Sequence, residues 1–216
     1  MSDIITRNIA ADSGDLTLNG GPGATVALPA DATIGGSTPV SSIWREVSTF
    51  TVATPVANVD YTFDWVTYKG YYLEWVSVTP TGDGNALYAR VSIDDGSTYE
   101  AGTNYNGHRT LSRASVSVSR TTSDQWLGIA GGSEPIGNAA GRGVSGFFRM
   151  QDWTVNNNSN PKEGHFQAAI YDTSGNPVYT WGSAAYRGTT TPTNLRLFFG
   201  VNTIETGTFV LRGLVR

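Results

Sequence analysis

YYLEWVSVTPTGDGNALYARVSIDDGSTY, residues 71–99, holds the features that decide the fold. Within it ALYARVSI (Ala86–Ile93) alternates strictly, placing Leu87, Ala89, Val91 and Ile93 on one side and polar residues on the other. A period of two is the signature of a strand with one face in a core. Just upstream, YTFDWVTY (Tyr61–Tyr68) and YYLEWVSV (Tyr71–Val78) are separated by Lys69-Gly70, a gap that predicts a two-residue hairpin turn. Further along, RASVSVS (Arg113–Ser119) sets Ala114, Val116 and Val118 against Ser115, Ser117 and Ser119, which predicts another half-buried strand. VSGFFRM (Val144–Met150), HFQAAIYD (His165–Asp172), PVYTW (Pro177–Trp181), LRLFFGV (Leu195–Val201) and TFVLRGLV (Thr208–Val215) are short and bounded by Gly, Pro, Asn or Asp. No long window carries a helical period.

These strands are too closely spaced for helical crossovers, so they must pair mainly antiparallel. The reading is an all-β chain: an antiparallel β-sandwich, jelly-roll-like, spanning residues 41–216. Composition agrees. Charged residues make up only 15%, against roughly 25% in an average soluble protein, while aromatics reach 11% and Gly takes 26 positions. The first forty residues differ, being Gly-rich and free of aromatics, with NGGPGAT and IGGSTP as turn and linker chemistry. Such a segment cannot bury enough surface to fold by itself, so residues 1–40 read as an extended arm for attachment and assembly.

The net charge of −4 argues against a nucleic-acid surface. The absence of Cys excludes disulfides, thiolate zinc sites and cysteine nucleophiles. No apolar run is long enough to insert in a membrane as a helix, and MSDIITRNIAADSGD has no secretory character. The expectation is synthesis in a cytoplasm without export.

Ser92, Asp94, Gly96, Thr98 and Tyr99 match the pattern S-x-D-x-G-x-T-aromatic, which resembles the Asp box repeated around sialidase propellers. Here there is one copy, and the physical reading is structural. Asp94 accepts backbone N–H groups across a turn, Gly96 supplies positive φ, and Tyr99 packs beneath. The loop that follows offers Asn104, Tyr105, Asn106, His108 and Arg109, a mixture suited to stacking on a sugar and bonding its hydroxyls, or to core packing and hairpin closure. Neither His108 nor His165 stands in a nucleophile motif, and no metal ligand set, cofactor motif or catalytic residue is assigned. Glu74, Glu100, Glu134, Glu163 and Glu205 are the glutamates from which a glycosidase pair would have to come; Glu74 reads as a half-exposed strand residue. Asn157-Asn158-Ser159 is a glycosylation sequon, read as incidental.

The stretch YYLEWVSVTPTGDGNALYARVSIDDGSTYEAGTNY resembles one that recurs in tailed-bacteriophage virion proteins of the tail-fibre or minor structural type. IGNAAGRGVSGFFRMQDW (136–153) resembles their central Gly-rich turn and strand, and AAYRGTTTPTNLRLFFGVNTIETGTFVLRGLVR (184–216) their closing strand pair. Leu211-Arg212-Gly213 departs from the Leu-Tyr-Gly expected there. The resemblance implies a non-enzymatic virion component made in the host cytoplasm, most often a tail fibre or receptor-binding protein. It also implies a homo-trimer, contacts with other virion proteins and a host surface glycan as receptor. Capsid decoration or a head fibre is the alternative, and a carbohydrate-active depolymerase a further one.

Overall fold

In a computed structural model, residues 44–84, 86–113, 115–131, 135–154 and 162–216 are described. The arm 1–40, Ala114, Glu134 and the Asn157 sequon lie outside the described residues. Among the described residues, twelve strands form two antiparallel sheets, as the alternation predicts. They are β1 (Trp44–Thr51), β2 (Asn58–Thr62), β3 (Tyr68–Pro80), β4 (Leu87–Ser92), β5 (Tyr105–Ser112) and β6 (Val116–Asp124), followed by β7 (Leu127–Ala130), β8 (Gly143–Met150), β9 (Lys162–Tyr171), β10 (Pro177–Tyr186), β11 (Asn194–Phe199) and β12 (Ile204–Val215). The larger sheet runs β1-β12-β3-β8-β9-β10-β5-β6 and the smaller β2-β11-β4-β7. Most consecutive strands change sheet, and both sheets contribute to one core around Tyr71, Trp75, Phe148, Leu87, Leu197 and Phe209. This is a β-sandwich.

Two local expectations are corrected. There is no hairpin at Lys69-Gly70, because β3 runs straight through both residues. The turn lies earlier, where the Asp64 carboxylate accepts from the N–H groups of Val66 and Thr67, both at 3.1 Å, and the Tyr68 N–H closes onto Asp64 O at 3.0 Å. Gly70 serves a different need: a Cβ there would stand 3.0 Å from the Met150 carbonyl of β8. Strand β2 therefore pairs with β11 in the smaller sheet, and β3 with β12 and β8 in the larger one.

The second correction concerns β6. Its valines do not face the core: Val116 and Val118 are each 65% exposed. Pairing with β5 sets Ser117 opposite the buried Leu111, Ser119 opposite Arg109 and Thr121 opposite Gly107, so the hydroxyl residues share the inward side. Among the described residues, strand β6 is the last strand of the larger sheet and has only β5 as a neighbour.

Candidate functional site

The residues 92–99 close a turn on themselves. Ser92 Oγ donates to Asp94 Oδ1 at 2.6 Å and accepts from the Gly96 N–H at 2.9 Å. Asp94 also accepts from the Thr98 N–H (2.9 Å) and Thr98 Oγ1 (2.6 Å). These bonds, from Ser92 first and then Thr98, hold the Asp94 carboxyl down at about 2. Gly96 has φ 85°, as the motif requires. Tyr99 is half-buried with its ring 3.9 Å from the Arg196 guanidinium, which Asp60 grips through two bonds of 2.8 and 2.7 Å. Burial is the main reason its phenol is pushed up to about 12. The hydrogen bonds of Asp94 are spent on the turn.

The segment 104–109 is largely strand, and alternation divides it. Tyr105 is fully buried. Its hydroxyl accepts from the Val91 N–H (3.1 Å) and donates to Glu100 O (3.0 Å), and burial pushes the phenol up. It pins the Asp-box turn to β5 from below, so its ring cannot stack on a sugar. Asn104 Nδ2 donates to Glu100 Oε2 at 3.2 Å, bracing the same turn. Asn106 and His108 face outward, and His108 is exposed. Arg109 faces inward. The five residues do not converge on one ligand.

What His108 joins on the outer face was not legible from spacing. In register, Arg149 of β8 stands beside His165 of β9, His165 beside Ser183 of β10, Ser183 beside His108 of β5, and His108 beside Arg120 of β6. Four basic side chains thus flank one hydroxyl in a row across five adjacent strands, about 19 Å at the usual strand spacing. The next row holds Phe147, Gln167 and Trp181, the last 42% exposed; beyond it Tyr179 is 55% exposed. His108, His165, Trp181 and Phe147 border a shallow depression of about 420 Å³. Phe147 is fixed by stacking on Tyr72 at 5.2 Å, and the Arg149 guanidinium sits 5.8 Å from the Trp44 ring centre. Neither Arg149 nor Arg120 forms an ion pair among the described residues. The available signal was the alternation of HFQAAIYD, whose polar set His165 and Gln167 must lie opposite the buried Phe166, Ala168 and Ile170.

Arg109 borders a second cleft of about 260 Å³ with Tyr88, Ser119, Thr121, Asp124 and Trp126, and His108 and Ser183 line it as well. Burial pulls the Arg109 pKa down, and its buried Nε has no hydrogen-bond partner among the described residues. Of the carboxylates weighed for catalysis, Glu74 is committed to Arg212 at 2.6 Å. Comparison of the chain with family models, with curated proteins and with solved structures finds no match.

Proposed function

We propose that this protein is a structural component of a tailed-phage virion, a tail fibre or receptor-binding protein, that contacts a host surface glycan. The observation that carries the glycan contact is the outer face of the larger sheet. Arg149, His165, His108 and Arg120 offer hydrogen-bond donors in a line, and Trp181 and Tyr179 expose rings beside them. Aromatic faces pack against the C–H faces of pyranoses, and cationic donors make charge-assisted bonds to their oxygens. A row this long suits an extended polymer. The virion assignment rests on the sequence resemblance over residues 44–216, carried by the stretches 71–105, 136–153 and 184–216. A sandwich body preceded by a Gly-rich segment suits it, with residues 1–40 as the docking arm of a homo-trimer.

One observation favours the alternative of capsid decoration. Strand β6 is an edge strand carrying two exposed valines, the kind of surface a neighbouring particle protein would cover. Two measurements separate the readings. Mass spectrometric counting in purified particles should find a few dozen copies or fewer; hundreds would select decoration. Particles carrying Trp181→Ala with His165→Ala should assemble normally and adsorb to host cells at least about tenfold more slowly, as loss of an aromatic anchor implies. Normal adsorption would reject the glycan contact on this face.

A further inference from the structure

The cleft that Arg109 borders has the chemistry of a second, more enclosed site. Three independent features build it. First, the inward face of β6 is made of hydroxyls, Ser119 and Thr121 standing opposite Arg109 and Gly107. With Ser119 and Thr121 half-buried and Val116 and Val118 exposed, this strand gains little from core packing, and Ser119 and Thr121 border a polar space instead. Second, the Arg109 guanidinium enters that space with its buried Nε lacking an acceptor, and no carboxylate forms an ion pair with it among the described residues. An unsatisfied buried donor is costly, and a ligand oxygen would relieve it. Third, the aromatic wall is held in place before any ligand arrives: Trp126 lies 4.8 Å from the Tyr88 ring and 5.6 Å from the Arg90 guanidinium, which Gln125 O anchors at 3.0 Å.

Two glycines keep the space open. A Cβ at Gly107 would approach Thr121 Oγ1 to 3.1 Å, and one at Gly128 would come 3.9 Å from the Arg109 guanidinium. The charge is balanced, since Asp124 borders the same cleft as Arg109. A donor, an acceptor and two hydroxyls beside aromatic carbon match adjacent hydroxyls on a sugar ring. An acidic sugar would gain from Arg109 and lose to Asp124.

We propose that the cleft between β6 and the β4–β7 edge binds one neutral hexopyranose unit, Arg109 donating to and Asp124 accepting from neighbouring ring hydroxyls. His108 and Ser183 of the basic row also border this cleft, whereas His165 and Trp181 do not; the proposal does not depend on the virion reading. The test uses purified full-length protein with a panel of neutral hexoses (glucose, galactose, mannose) and the hexuronates of glucose and galactose, followed by saturation-transfer NMR and titration. At least one neutral hexose should bind with millimolar affinity, at least about tenfold tighter than its uronate, the scale expected from an uncompensated charge contact. Arg109→Gln and, separately, Gly128→Val should each weaken that binding at least about tenfold, while Val66→Thr in the exposed turn before β3 leaves it unchanged. Thermal melts of both cleft variants establish that they remain folded. The proposal is overturned if no neutral hexose binds, if uronates bind as well or better, or if a folded Gly128→Val protein binds like the wild type. Loss of binding in Val66→Thr would also overturn it, by showing that the effect is not specific to the cleft.

Discussion

Strands β4 and β6 alternate apolar and polar residues equally cleanly, yet Leu87, Ala89 and Val91 of β4 are fully buried while Val116 and Val118 of β6 are each 65% exposed. Strand β4 lies between β11 and β7 in the smaller sheet, which contributes its inner face to the common core. Strand β6 ends the larger sheet, and its mate across the turn, β5, dictates which side each residue takes. Alternation establishes that a strand has two unlike faces. Which face meets the core depends on what stands opposite, and at β6 that is a cleft.

The largest effect is expected from repeating one substitution in both strands. Val91→Ser should lower stability by about 3 kcal/mol, since it removes buried methyls and leaves a hydroxyl in the core. Val118→Ser should stay within about 0.5 kcal/mol of the wild type. Denaturant unfolding of the two variants side by side checks the pair, and comparable losses would put β6 in the core.

Next in size is Tyr105→Phe, expected to lose about 1–2 kcal/mol because the Val91 N–H and Glu100 O both lose their partner. That variant sharpens the contrast within β5, where Tyr105 serves stability and His108, on the other side, does not. His108→Ala should melt with the wild type, and a lower melting temperature would assign it a structural role.

The smallest effect is tied to pH. Asp94 is depressed to about 2 from 3.8 in the unfolded chain, by its bonds to Ser92 and Thr98. The unfolded chain therefore takes up this proton first as pH falls. Stability from the turn is complete above about pH 4 and is lost as pH drops through about 2. Asp94→Asn should lack this component of the acid dependence while leaving the rest of the profile in place. An identical profile in both proteins would show that the carboxylate is not engaged.

Much of the fold was legible because period-two alternation is local. The stretches 86–93, 144–150, 165–172 and 195–201 announced strands that exist, and the Asp-box residues form the turn their chemistry requires. Lys69-Gly70 misled because Gly reads as turn chemistry, whereas here it answers the close approach of the Met150 carbonyl; Asp64, whose side chain folds the true turn, carried the better signal. The candidate site was less legible. The sequence pattern suggests one loop from Asn104 to Arg109, whereas a strand beginning at Tyr105 alternates their side chains. His108 and His165 meet beside Ser183 only through the register of three strands, a non-local property that no short window encodes.

The orientation of β6 carries both the exposed edge and the Arg109 cleft, and it can be read directly because the chain has no cysteine of its own. Single-cysteine variants Val91→Cys and Val118→Cys, labelled with a thiol reagent under native conditions, give the measurement. The account predicts that Val118→Cys reacts at nearly the rate of the unfolded chain while Val91→Cys stays protected until global unfolding. Equal protection at the two positions would contradict it.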